Sequence, residues 1–414
     1  MNGLLWRALF VAIALLLVGG PLALTFQGCQ ETAQAVDTGP PLPDAGTSRA
    51  CGDVGPYGWD PRAQQAAGIN DAGESSTFFA VWGMSDKAVW AVGSGGTVIH
   101  YDGAQWIRQT TPTTVTLTGV WGVTEKDVWA VGLNGTVIHY DGTQWKDESP
   151  PVLVFHTGDG GPPTGDAAAA ITRNLWGVWA TGKTYTEALY AVGDYGTVIY
   201  FDGKLKLWSD KIPITVPGDG GTKTVKVQDQ LNGVWGASAN RVYIVGNFGT
   251  VLEGNKTGLA LQNTGITKDL HAVWGRSDGD VYAVGTNGTV LNRRGGSWTA
   301  IPGAPKQVLR GIWGPSNNSS VAYVVGWDGT LLKMAGSGKN RTFDPYYCII
   351  PGRRLEAIWG TLVPITMFDA GTVAPVPVGD ATVPPDLTAP TDSGIPMVPL
   401  VWVVGASGMV ITGP

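Results

Sequence analysis

A closed, all-β propeller of seven blades is the fold class the sequence predicts, and three observations predict it. The chain has 414 residues, 61 glycines, 27 prolines and only 14% charged residues. Against about 25% charged residues in an average globular domain, that balance is rich in turns and strands. One short segment recurs seven times, as FFAVWG, LTGVWG, LWGVWA, LNGVWG, LHAVWG, LRGIWG and LEAIWG, and places Trp82, Trp121, Trp179, Trp235, Trp274, Trp313 and Trp359 in register. Successive tryptophans lie 39, 58, 56, 39, 39 and 46 residues apart. The bare unit is therefore 39 residues, close to the period of a four-stranded propeller blade, and the longer intervals carry insertions.

Each element of the unit follows from its residues. The segment ending in Val-Trp or Ile-Trp is the first strand. The second reads AVWAVG, DVWAVG, ALYAVG, RVYIVG, DVYAVG, VAYVVG or LVWVVG. Its β-branched and aromatic residues fall at consecutive positions, whereas a strand with one wet face alternates; a strand stacked between neighbouring blades is apolar on both faces. The third element, GTVIHYDG in its clearest form, follows a V-G-x-x-G join whose glycines are expected to supply the positive φ of a tight hairpin. A fourth strand is marked by Trp106, Trp145, Trp208 and Trp298. The seven recurrent tryptophans, one per blade at the same position, read as packing between blades. Copy seven stops after its third strand, at GMVITGP. Its outer strand is expected from the N-terminal side, around Tyr57-Gly58-Trp59, which closes the ring and removes the free edges.

Ahead of the repeats, MNGLLWRALFVAIALLLVGGPLAL places one cation, Arg7, before an apolar run from Ala8 to Val18 that ends at Gly19-Gly20-Pro21. This is the pattern of an export signal, and the run is shorter than the roughly 20 apolar residues that span a bilayer. The predicted organisation is a signal peptide over 1–28, a Pro/Gly/Asp-rich flexible tether over 29–56, and the propeller over 57–414 with a Pro-rich insertion at about 361–399. The segment LTFQGC resembles the acylation box of bacterial lipoproteins and implies lipidation at Cys29; cleavage after Ala33-Gln34-Ala35 is the alternative. Either way Cys51 and Cys348 remain as an even pair. In an oxidising compartment they are expected to be bonded, two separate buried thiols being the other reading.

Chemistry is sparse. A net charge of −6 and a pI near 5.2 exclude a footprint for nucleic acid. His100 and His139 occupy the same place in adjacent copies of GTVIHYDG, which marks them as structural. No Cys, His, Asp and Glu cluster has metal-ligand spacing, so neither a metal nor a cofactor is expected. Asp102, Asp141 and Asp202 each precede a glycine and read as turn residues. Neither the paired carboxylates of a glycosidase nor a phosphate or dinucleotide loop can be located, and the expectation is a protein without catalytic activity.

A ligand is expected on the face that carries the turns between second and third strands. There Tyr195, Phe248 and Trp327, with Asp194 and Asp328 beside them, are the candidate binding residues, because large aromatics at loop tips favour recognition; packing against a neighbouring insertion is the alternative. Two insertions, 146–174 and 209–230, are expected on the same face, flanking blade three. The sequence VWAVG followed by GTVIHYDGAQW resembles the repeat of tectonin-type propeller lectins, and also sialidase-type and photosystem-assembly-factor-like repeat propellers, over about residues 78–412. The resemblance implies the propeller fold and, from the lectins, sugar binding. The resulting expectation is an outer-membrane or cell-surface lipoprotein whose propeller is a platform for a protein of the cell envelope. A glycan-binding lectin is the runner-up, and a carbohydrate-active enzyme comes third.

Overall fold

The computed structural model describes residues 76–150, 173–182, 188–202, 207–209, 212–219, 221–316, 320–337, 340–345, 352–364, 389–390, 396–406 and 408–413. Cys29, the tether, Cys51, the segment Tyr57-Gly58-Trp59 and Cys348 lie outside them.

The chain is all-β and builds seven blades. Blade one is typical, with antiparallel strands Phe78–Ser85, Ala88–Gly93, Val98–Tyr101 and Trp106–Arg108 hydrogen-bonded in chain order. First strands of successive blades neighbour one another in a closed cycle, blade seven returning to blade one. Second strands are buried on both faces, as their lack of alternation predicts: Val89, Trp90, Ala91 and Val92 are each no more than 1% exposed. Fourth-strand Trp106, Trp145 and Trp298 are buried under their blades.

Blades four and seven depart from the pattern. The insertion expected beside blade three folds as a hairpin, Ile214–Gly218 with Gly221–Val225, and joins the outer edge of blade four. There it pairs in parallel with Gly258–Leu261 and makes a six-stranded sheet. In blade seven, Leu355–Pro364 and Pro396–Gly405 form a first hairpin longer than in the other blades, with Val410–Gly413 as third strand and Ala389–Pro390 beside the start of the second.

The recurrent tryptophans are what seal blade to blade. Each packs on the residue that follows the tryptophan of the next blade. A Cβ built on Gly122 would lie 2.3 Å from the Trp82 indole, one on Gly236 2.5 Å from Trp179, and one on Gly275 2.7 Å from Trp235. Trp274 on Gly314, Trp313 on Gly360 and Trp359 on Gly83 repeat the step and complete the circle. At blade three the residue is Ala180, and Trp121 instead donates its indole N–H to the Ala180 carbonyl at 2.9 Å. The Trp-Gly dipeptide is thus a packing unit shared between blades: only hydrogen leaves room for an indole on the backbone.

Candidate functional site

The join between second and third strands puts its two glycines to different uses. The first, as in Gly93, is extended (φ −164°). What excludes a side chain there is the Thr77 carbonyl oxygen, 2.2 Å from where a Cβ would sit. The second, as in Gly96 (φ +68°), has the positive φ that the sequence assigned to both. The residue before it is also left-handed. Asn134 (φ 56°), Tyr195 (φ 53°), Phe248 (φ 55°), Asn287 (φ 56°) and Asp328 (φ 57°) all sit there, and Gly95 (φ 64°) does in blade one. With Thr97 N–H donating to Ser94 O across the tip, and the same bond repeated in other blades, each tip from blade one to blade six is a hairpin turn with two consecutive left-handed residues. Asn-Gly suits that turn, and a bulky side chain is strained in it.

Blades three and four break this rule side by side. Tyr195 and Phe248 occupy the strained position, and they are 66% and 67% exposed, whereas among the described residues the other large apolar side chains, Met84 and Ile107 apart, are covered. The Arg173 guanidinium lies 5.2 Å from the Tyr195 ring centre and donates to the Tyr195 carbonyl. Asp269 of the next blade accepts the Phe248 backbone N–H at 3.0 Å.

The other three candidates are placed differently. Trp327 stands one position earlier in its turn, where it is only partly exposed and is covered by Arg354, 4.5 Å from the ring centre. It is therefore not an exposed tip residue of the kind Tyr195 and Phe248 are. Asp194 is half-buried and accepts from Trp176 Nε1 at 2.6 Å and Asn174 Nδ2 at 2.9 Å, so it braces the turn beneath Tyr195. Asp328 is exposed at the left-handed position of blade six.

The structure adds a set of residues the sequence reading passed over. Three positions before each recurrent tryptophan the first strand carries Phe79, Thr118, Trp176, Asn232, His271, Arg310 or Glu356, a different residue in every blade. All seven line a central channel of about 480 Å³. Their bonds to turn residues, Trp176 to Asp194 and Asn232 Nδ2 to Asn247 Oδ1 at 2.9 Å, put this ring at the channel mouth on the turn-bearing face. Several join blade to blade. Thr118 donates to the Leu175 carbonyl at 2.6 Å, Asn232 to the Leu270 carbonyl at 2.7 Å, and Arg310 pairs with Glu356 at 2.8 Å. Neither ring nitrogen of His271 has a hydrogen-bond partner; burial, helped by the nearby Arg310 guanidinium, lowers its pKa to about 4. The imidazole is thus neutral at pH 7, and with Arg310 and Glu356 cancelling, the seven residues of the ring carry no net charge. The signal was legible: in a repeat that keeps Leu or Phe, Val or Ile, and Trp at fixed places, this is the strand position that changes in every copy.

His139, Asp102 and Asp141 explain themselves as structure. His139 stacks on Trp129 with centres 4.0 Å apart, and both bond Asp127. Asp102 accepts two backbone N–H groups at 2.8 Å, the turn role expected of it, and Asp141 does the same. Gly275-Arg276-Ser277-Asp278-Gly279 has the spacing of a nucleophile elbow. It crosses the hairpin between Leu270–Ser277 and Asp280–Gly285, however, and such an elbow needs a strand-to-helix turn. Among the described residues no group of three or more His, Cys, Asp or Glu is placed to hold a metal ion.

No protein-family model and no curated protein sequence matches the chain. Solved propellers do. A structure of YCF48 bound to D1 peptide superposes with a TM-score of 0.53 at 12% identity, covering 87% of this chain and 97% of that one. YCF48 from Cyanidioschyzon merolae gives 0.51 at 12%, over 82% and 95%. The WD40 propeller domain of Doa1 gives 0.52 at 11%, over 82% and 93%. At such identities the likeness is one of fold, and the chain is a propeller of the kind seen in YCF48 and in the WD40 domain of Doa1.

Proposed function

We propose that this chain is an exported, non-catalytic platform that binds one protein partner of the cell envelope through the turn-bearing face at blades three and four, and is held at the membrane by an acylated Cys29. The observation that carries the reading is the pair of adjacent exposed aromatics, Tyr195 and Phe248, each kept in a left-handed conformation that Asn, Asp or Gly fills in blades one, two, five and six. Strain of roughly 1–3 kcal/mol at such a position persists where surroundings impose it, typically at functional sites, and exposed aromatic anchors are what protein interfaces use. Support comes also from the fold neighbour solved with a bound peptide. A lectin that reuses the repeat would present equivalent pockets, but the tips Gly95, Asn134, Tyr195, Phe248, Asn287 and Asp328 share no polar set.

The test places a photo-crosslinking phenylalanine at 195, at 248 and, as control, at 287, and exposes each protein to envelope extract of the source cells. One crosslinked protein from 195 and 248 but not from 287 is the expected result. Equal labelling from all three positions, or none from 195 and 248, removes the proposal.

A further inference from the structure

On the face opposite the turns, a cleft of about 390 Å³ opens between blades five and six, lined by Arg276, Arg294, Arg341, Asp280, Ser277 and Ser320. The arginines arrive from three strands of two blades. Arg276 ends the first strand of blade five, Arg294 the third, and Arg341 lies in the fourth strand of blade six. Arg276 and Arg341 both lean on the Tyr282 ring, their guanidinium carbons 5.7 Å and 5.0 Å from its centre. Arg276 pairs with Asp280 at 2.8 Å and Arg294 pairs with it at 3.1 Å. Arg341 donates to the Tyr282 hydroxyl and, at 2.7 Å, to the Ser320 carbonyl.

The charges do not balance. Next to the cleft, Arg241 and Arg293 take up Glu253 and Asp278. Among the described residues that leaves Asp280 as the carboxylate facing Arg276, Arg294 and Arg341, so three positive charges meet one negative charge. Two of the guanidiniums are also buried: the Arg276 side chain is 7% exposed and Arg341 is 6% exposed. Among the described residues the Nε–H of each has no acceptor, although Arg276 also donates from a terminal nitrogen to the Val321 carbonyl. A buried cationic donor left unpaired is costly, and burial with the like charges of Arg276 and Arg294 pushes Arg341 below the ordinary arginine range. A dianion in the cleft would answer the excess of positive charge.

We propose that this cleft is a binding site for a phosphate group, either free phosphate or the phosphoryl end of a monoester. Donors from three directions, with two serines at the rim, suit a tetrahedral oxyanion; a planar carboxylate is matched by the fork of a single arginine. The cleft is wide enough for more than the bare ion.

The full chain is titrated calorimetrically at pH 7.5 with inorganic phosphate, with glycerol phosphate and with acetate, at ionic strength matched with chloride. Saturable binding of one or both phosphates and not of acetate is expected. Glycerol phosphate bound as well as the ion assigns the site to a monoester, and the ion alone assigns it to free phosphate. Arg294→Gln, which removes a half-exposed head group from the cleft, is expected to weaken phosphate about tenfold while leaving the melting profile in chloride near that of the parent. Absent saturation by either phosphate, acetate binding of equal strength, or unchanged affinity in Arg294→Gln overturns the proposal.

Discussion

Two positions three residues apart on the same strand behave in opposite ways. At one, tryptophan recurs in all seven blades; at the other, Phe79, Thr118, Trp176, Asn232, His271, Arg310 and Glu356 are all different. The first is confined on every side, because the indole fills the space over the next blade's glycine. The second faces the channel, where a different set of partners in each blade admits a different residue. Repetition in this chain therefore marks what closure of the ring requires, and variation marks what the ring leaves free for recognition.

The confined position is the one to break first. Gly122→Ala puts a methyl group 2.3 Å from the Trp82 indole, and an overpacked core of this kind loses about 3 kcal/mol. Ala180→Gly, at the equivalent site of blade three where Trp121 bonds the backbone carbonyl, should cost about 1 kcal/mol or less. Urea denaturation of both variants measures the difference; equal costs would show that the Trp-on-Gly step does not seal the ring.

The open position should reveal itself through pH. His271 has its pKa lowered from 6.5 to about 4 by burial and by Arg310. As pH falls through that window the unfolded chain takes up a proton that the folded chain refuses, so stability is present above pH 6.5 and is lost toward pH 4. His100 is lowered as well, chiefly by burial, and adds to the slope. His271→Phe, which installs the residue blade one carries here, should lose about 1–3 kcal/mol less between pH 7 and pH 4.5. Parallel stability profiles for parent and variant would mean that the channel mouth is wetter than its unpartnered imidazole implies.

The same contrast explains what was legible in the sequence. Blade number, strand order and the inter-blade role of the tryptophans came from periodicity, because repeated contacts leave repeated residues. The two uses of glycine in V-G-x-x-G could not be separated, since a close carbonyl at Gly93 and a positive φ at Gly96 both select the same residue. The hairpin Ile214–Gly218 with Gly221–Val225 was missed as an extension of blade four because its partner strand, Gly258–Leu261, lies some forty residues on, and local pattern carries no sign of a parallel pairing. Trp327 looked equivalent to Tyr195 and Phe248; one step in register inside a tight turn tipped it under Arg354 instead of into solvent. The cleft at Arg276 and Arg341 assembles from two blades, and no single copy of the repeat shows it.

The smallest effect separates the two readings of the exposed aromatics. Phe248→Asn gives blade four the tip of blades two and five, relieves a bulky side chain at φ 55° and removes no core contact, since the ring is 67% exposed. A gain of roughly 0.5–1 kcal/mol is expected, which a thermal melt reads as a rise of about 1–3 °C. Tyr195→Asn should gain less, because it forfeits the Arg173 guanidinium that lies over the ring. Aromatics kept for a partner leave the isolated chain more stable when they are removed. Aromatics kept to pack against an insertion leave it less stable, so a fall in the Phe248→Asn midpoint would move Phe248 from recognition to packing.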